Sequence, residues 1–338
     1  MTYGVTALSK ILFVRETTAG TTPLTGTTAT YWRGLGFPKD DRVVTKVDEQ
    51  VGILGGTTRQ YVGQLGATFA IPATPATFEQ VNHVFEMGLE TDTPANDGSG
   101  SGKIYEYDFP TTAQLTNKTY TVYGGDNNQA ERMQYCFAQD FTLEGEQGGA
   151  WNVSATLMGR TLEPVSYYST ATLPAVEEIL FSKTKLYIDA STGTMGTTLK
   201  SATLMKASLK VTTGWIPITP GGDGELYFPA IKNMGDVSEL QITFEHDGTA
   251  VAEKAAWRAE TERLIRLKAE GSAFTTAGST YTYKTMRIDL AGTWRSVNAI
   301  TGQNGNDICV GTFDVDYSET AAFKGKITVV NALASVPG

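Results

Sequence analysis

The stretch Trp151-Asn152-Val153-Ser154-Ala155-Thr156-Leu157-Met158 alternates apolar and polar side chains with a period of two. A strand turns successive side chains to opposite faces, so this run reads as a half-buried strand with Trp151, Val153, Ala155 and Leu157 inward. The period recurs along the chain. Leu240, Ile242 and Phe244 oppose Glu239, Gln241, Thr243 and Glu245; Met286, Ile288 and Leu290 oppose Arg287 and Asp289; Phe313, Val315 and Tyr317 oppose Asp314 and Asp316. One core face and one wetted face per strand is the mark of antiparallel sheet. The 36 glycines and clusters such as Thr21-Thr22 and Thr27-Thr28 favour short strands and turns in the same way.

Working outward, the pattern recurs at a spacing of about half the chain. Leu12-Phe13-Val14 matches Leu186-Tyr187-Ile188, each leading into a Thr/Gly-rich stretch (Thr17 to Thr30, Ser191 to Thr198). Phe85 matches Trp257 in a helical segment, Phe141-Thr142-Leu143-Glu144 matches Phe313-Asp314-Val315-Asp316, and Trp151 matches Phe323. This predicts a tandem duplication with a first domain over 1–165, a linker over 166–180 and a second domain over 181–338. Each unit reads as mainly β, of the α+β type: a β-sandwich or tube domain with one covering α-helix. The helices are expected at Thr77 to Leu89, where Thr77 and Gln80 have capping-box spacing and His83 falls on the polar side, and at Thr249 to Glu270, with Trp257, Leu264 and Ile265 facing a sheet.

Three segments break the alternation. Thr91 to Lys103 reads as a flexible loop, and Thr161 to Ala175, with Pro164 and Pro174, as the region of the linker. Thr212 to Asp236 carries Trp215, Ile216, Ile218, Leu226, Tyr227 and Phe228 between Pro and Gly residues, and its counterpart is Arg42 to Gln64 with Val51, Ile53 and Tyr61. Apolar residues in a loop-like frame imply docking on another surface, or a hairpin packed on its own domain.

With 27 Lys+Arg against 36 Asp+Glu the chain has a formal charge of −9, spread over both halves, so it lacks a basic footprint for gripping phosphates. No apolar run approaches the ~20 residues of a spanning helix, and the expectation is a soluble protein without a signal peptide. Cys136 and Cys309 lack the spacing of a zinc or redox motif. His83 and His246 have no HxxxH or HxH partner, so a histidine metal site or a Ser/His/Asp triad is not expected. The Gly98 to Lys103 run departs from a phosphate loop, with Asp97 at the first glycine position and Ile104 after the lysine. No catalytic residue, metal or cofactor is predicted.

A duplicated unit of alternating strands with one covering helix, acidic and without a catalytic set, resembles the tail tube (major tail) protein of long-tailed, non-contractile bacteriophages, in the version with two tube domains per chain. The resemblance implies a structural virion protein, not an enzyme. Each domain would give one sheet to a continuous inner β-barrel, and three chains would make a homotrimeric, pseudo-hexameric ring. Rings would stack into a conduit for DNA ejection. The implied partners are copies of itself and other tail proteins (tape measure, terminator, tip or baseplate), with DNA passing unbound, no membrane, assembly in the host cytoplasm and a final place in the virion tail. An acidic wetted strand face suits such a lumen, because it repels phosphates; Thr142, Glu144, Asp314 and Asp316 are the candidate lumen residues. Val51, Ile53, Tyr61, Trp215, Ile218, Leu226 and Tyr227 are the candidate ring-stacking contacts.

Two other classes fit the composition. A virion decoration or receptor- and carbohydrate-binding protein is also β-rich and acidic. A carbohydrate-active enzyme would use paired carboxylates such as Asp314 and Asp316.

Overall fold

The computed structural model describes residues 3–21, 29–55, 59–167, 171–222, 224–303 and 305–336; part of the first Thr/Gly-rich stretch, 22–28, lies outside them. The fold is mainly β, about half strand with two α-helices. Its first run comprises β1 (Lys10–Arg15), β2 (Thr30–Tyr31), β3 (Lys39–Asp40), β4 (Val43–Lys46), β5 (Gln60–Gln64), β6 (Ala67–Pro75), α1 (Val81–Gly88), β7 (Ala95–Asn96), β8 (Lys103–Asp108), β9 (Tyr120–Gly125), β10 (Ala130–Glu146), β11 (Asn152–Gly159) and β12 (Leu162–Val165). The second run comprises β13 (Thr184–Ala190), β14 (Leu199–Lys200), β15 (Leu204–Thr212), β16 (Trp215–Ile218), β17 (Ala230–Asn233), β18 (Val237–Glu245), α2 (Gly248–Arg258), β19 (Arg263–Ala273), β20 (Tyr283–Val297), β21 (Thr301–Gln303), β22 (Asn306–Val315) and β23 (Gly325–Asn331).

The main pairings of the two runs correspond, whereas β7–β8 and β21–β22 each occur in one run alone among the described residues. β2–β1–β9–β10 in the first is matched by β14–β13–β19–β20 in the second, all antiparallel. β10–β11–β6–β3 is matched by β20–β22–β18–β15. The hairpin β4–β5 sits between β3 and β6 as β16–β17 sits between β15 and β18, and α1 follows β6 as α2 follows β18. β12 and β23 are the corresponding last strands, each paired on the long strand of its run.

β10 and β20 are long because each serves two sheets. β10 pairs with β9 up to Cys136 and with β11 from Phe137, and the change of sheet falls at Tyr135, whose φ is 55°. β20 changes at Gly292, φ 154°, where a Cβ would lie 1.9 Å from the Asp314 carbonyl oxygen. Only glycine passes there.

The shared central sheet runs β3–β6–β11–β10–β15–β18–β22–β20. The repeats join through one ladder within it, from Asp140 opposite Thr212 to Glu146 opposite Lys206. Among the described residues the pairings branch but never return on themselves, so they form an open wall and not a closed barrel.

One apolar cluster fills the space behind this wall, drawing on Phe69, Phe141, Leu143 and Leu157 from the first repeat and Leu209, Leu240, Phe244 and Phe313 from the second. Each such side chain contributes roughly 1.5–3 kcal/mol by burial, which binds the repeats into one core. β8 reinforces this by pairing with β23 of the other repeat.

Several sequence expectations are corrected. All of α1 is buried, including His83, which is caged by Phe13, Trp32 and Tyr120 and whose Nδ1 lies 2.9 Å from the Gln80 carbonyl. A helix wedged between two sheets has no polar side, so the one-face rule fails. The capping box is half made: the Thr77 hydroxyl accepts from the Gln80 N–H at 3.3 Å, but the Gln80 side chain serves Tyr31 and Arg33 instead. The second helix, capped by Asp247, stops at Arg258. Leu264, Ile265 and Gly271 belong to β19, where Ile265, Leu267 and Ala269 point inward against Arg266, Lys268 and Glu270; this period of two was legible but was read as helix.

The stretch 91–103 is tied down, not a free loop. Asp97 is buried and accepts from the Thr280 and Tyr281 N–H groups of the second repeat at 2.8 and 2.6 Å. Between 166 and 180 the described residues hold only isolated bridges, Thr172 to Thr30, Glu178 to Thr77 and Leu180 to Ala150. Two of the four repeat anchors pair elements that do not correspond: Phe141 is on β10 and Phe313 on β22, whose counterparts are β20 and β11. Trp151 precedes β11 and Phe323 precedes β23, likewise non-equivalent. Every half-buried strand shares the same period, so alternation alone aligns any two of them.

Candidate functional site

The central sheet turns its second face outward. Register carries one row of side chains straight across it: Ser154, Thr142, Lys210, Glu239, Asp314 and Thr293 are successive cross-strand neighbours. The next row holds Asn152, Glu144, Ser208, Gln241, Thr312 and Ser296. Thr142, Glu144 and Asp314, singled out from the sequence, are therefore brought onto one polar face spanning both repeats. Asp316 is exposed one residue beyond the end of β22.

The sequence reading missed the basic residues on this face. Arg295 bridges two strands, donating to Glu239 at 2.6 Å and to Asp314 at 2.9 Å, and Lys206 pairs with Glu144. Asp140, Glu144, Glu146, Glu239, Glu245 and Asp314 still outnumber Lys39, Lys206, Lys210 and Arg295, so the wall is acidic but laced with ion pairs. Such pairs cost little to break where exposed and hold long side chains flat against the sheet. Cross-strand alternation of Lys210, Glu239 and Arg295 was recoverable only with the register in hand.

The wall ends in two open edges. On the side away from β22, Thr293–Val297 pairs with no strand among the described residues, and neither does the outer side of β3 or of β6 beyond Thr68. These two edges correspond, by the repeat, to the β10 and β15 edges that are joined inside the chain. An exposed strand edge is a template for pairing with another chain.

The two hairpins differ sharply. β16–β17 leaves the wall at Gly214, φ 75°, where a Cβ would meet the Gly235 carbonyl at 2.0 Å. It folds onto the first repeat, where Trp215 and Phe228 are buried against Tyr135 and Phe137. The Trp215 indole N–H donates to the Gly88 carbonyl at 3.0 Å, and Arg160 donates to the Phe228 and Pro229 carbonyls at 2.8 Å each. Trp215, at 6% exposed, is thus spent inside the chain, and Tyr227 lies half-buried under the Arg160 guanidinium. Ile218 and Leu226 stay exposed. On β4–β5 the apolar residues are free: Val43, Val51, Ile53, Leu54 and Tyr61 are all exposed.

Burial shifts two of the titratable groups behind the wall. Burial pushes the Glu86 carboxyl up while Arg15, at 2.9 Å, and the Tyr120 hydroxyl, at 2.6 Å, work against that rise. Burial also raises the Cys136 thiol well above its usual value, the wrong direction for a nucleophile. His246 meets Cys309 at 3.3 Å, and among the described residues no group of three or more His, Cys, Asp or Glu could hold a metal. Among the described residues no helix is long and apolar enough to cross a membrane. No family model matches the chain, and no curated protein is significantly similar to it.

Proposed function

We propose that this chain is a structural virion protein that polymerises into the tail tube of a long-tailed phage, a conduit for DNA ejection. One observation carries the reading: two topologically equivalent repeats are joined edge to edge through β10 and β15, and the same pair of edges stands open at opposite ends of the wall. Pairing β20 of one copy with the β3 side of the next repeats the internal junction. Such a head-to-tail contact closes into a ring when the rotation per copy allows it. Three copies would give a pseudo-hexameric ring, and the acidic face would be its lumen, along which phosphates slide without sticking. The tape measure, terminator and tip proteins would be its partners in the tail, after assembly in the host cytoplasm.

Electron microscopy of the purified protein at high concentration, with light scattering on the same sample, tests this. Hollow tubes or stacked rings with threefold or pseudo-sixfold views are expected. A monodisperse monomer across the whole concentration range refutes self-polymerisation through these edges.

A further inference from the structure

The two hairpins are equivalent in topology but only one has a place to dock. β16–β17 packs on the first repeat because β15 pairs with β10, which brings the hairpin over Tyr135, Phe137 and Gly88. Its outer turn travels further still. The Leu226 carbonyl accepts from the Leu65 N–H at 2.8 Å, at the segment joining β5 to β6. The tip of the second hairpin therefore rests on the base of the first.

Transferring this relation by the repeat identifies two exposed apolar surfaces. The tip equivalent to the Leu226 region is Val51 to Leu54 on β4–β5, and Val51, Ile53 and Leu54 are exposed there. The base equivalent to Leu65 is the segment joining β17 to β18, where Met234 is exposed at 66%, as is Val237 at the start of β18, at 72%. Within the chain the strand that would carry β4–β5 onto a second repeat is missing, because β3 has no neighbour on its outer side among the described residues. Large apolar residues exposed in matched positions at the two ends of a wall, on the tip and base of equivalent hairpins, mark surfaces for an interaction.

We propose that the β4–β5 hairpin docks sideways onto the second repeat of a neighbouring copy, its Val51–Leu54 tip resting on the Met234–Val237 base of that copy's β16–β17. The partner is a second copy of this chain, and the inference rests on the tube reading. The contact is lateral, within a ring. It differs from the axial ring-to-ring role that the sequence suggested for the same hairpin, and the two roles separate by experiment.

The Ile53→Asp/Leu54→Asp double variant changes exposed residues only, so it folds as the parent does, checked by circular dichroism. Its expected state is a monomer by light scattering under conditions where the parent forms tubes. A second protein, Leu54→Cys/Met234→Cys, should give disulfide-linked oligomers on non-reducing gels once assembled; the native Cys136 and Cys309 are buried and do not compete. Single unstacked rings from the Asp variant would overturn the lateral contact and leave the tube reading standing, as would normal tubes or assembled tubes in which the cysteine pair never links. A parent that forms no tubes overturns the tube reading and the docking with it.

Discussion

Replacing Trp215 with alanine tests whether the second hairpin is held to the first repeat by packing. The side chain is 6% exposed and lies in a cluster with Tyr135, Phe137 and Phe228, with Met158 and Ile231 packed around it. Truncating a buried aromatic to alanine costs about 3–5 kcal/mol, through lost transfer energy and the cavity left behind. The indole donor to the Gly88 carbonyl at 3.0 Å is lost too, a contribution of about 1 kcal/mol that overlaps the first figure. A total near 4 kcal/mol is a large part of the ~5–15 kcal/mol that holds a typical domain together. Because β16–β17 is a separate two-stranded sheet, the loss should appear first as local opening. Hydrogen exchange at Ile216, Ile218 and Ala230 to Asn233 should accelerate by at least ~100-fold, with a lower urea midpoint for the whole chain. Ile218→Ala, on the exposed side of the same hairpin, is the control and should change stability by no more than about 0.5 kcal/mol. Unchanged exchange in the Trp215 variant, with a stability loss below ~1 kcal/mol, would refute the docking argument.

Two further outcomes follow from the charged groups. Burial pushes Asp189 up, but hydrogen bonds from Thr198, Thr197 and Gly196 more than offset this and hold its carboxyl below the ordinary value. A lowered folded pKa contributes stability above the unfolded value of about 3.9 that is lost as pH falls through the folded one. Asp189→Asn should therefore cost about 1–3 kcal/mol in urea titrations at neutral pH, with the deficit shrinking as the pH falls through the folded carboxyl's value, and a deficit that does not change with falling pH would sink the assignment. On the wall, Asp314→Lys with Asp316→Lys places a lysine beside Arg295 and turns acidic positions basic. On the tail-tube proposal, phage carrying this pair should eject DNA slowly or not at all, and normal ejection kinetics would remove these residues from the proposed lumen.

Much of the architecture was legible because a half-buried antiparallel strand writes its period of two into the chain. The runs at 152–158, 240–244, 286–290 and 313–315 are all strands, with Trp151 just ahead of the first, and the matches of Leu12 with Leu186 and Phe85 with Trp257 fall on equivalent elements. The same uniformity caused the errors. Phe141 and Phe313 look alike because both strands face one core, although they hold different places in the repeat. His83 went to the wrong environment because a helix enclosed by sheets on both sides has no solvent face, and nothing local signals the second layer.

The candidate surface divides along the same line. Composition and alternation by themselves determined a mainly β chain that is acidic and carries several half-buried strands. Only the tertiary structure decided that Thr142, Glu144 and Asp314 share one wall, that Arg295 and Lys206 neutralise part of it, and that the wall ends in complementary open edges. It also decided that Trp215 is buried while Ile53 and Leu54 are not. Period and propensity are local properties of the backbone, written every few residues. Which strands become neighbours is settled by long-range pairing across β10–β15 and by burial shared between distant segments, and no window of sequence contains both partners.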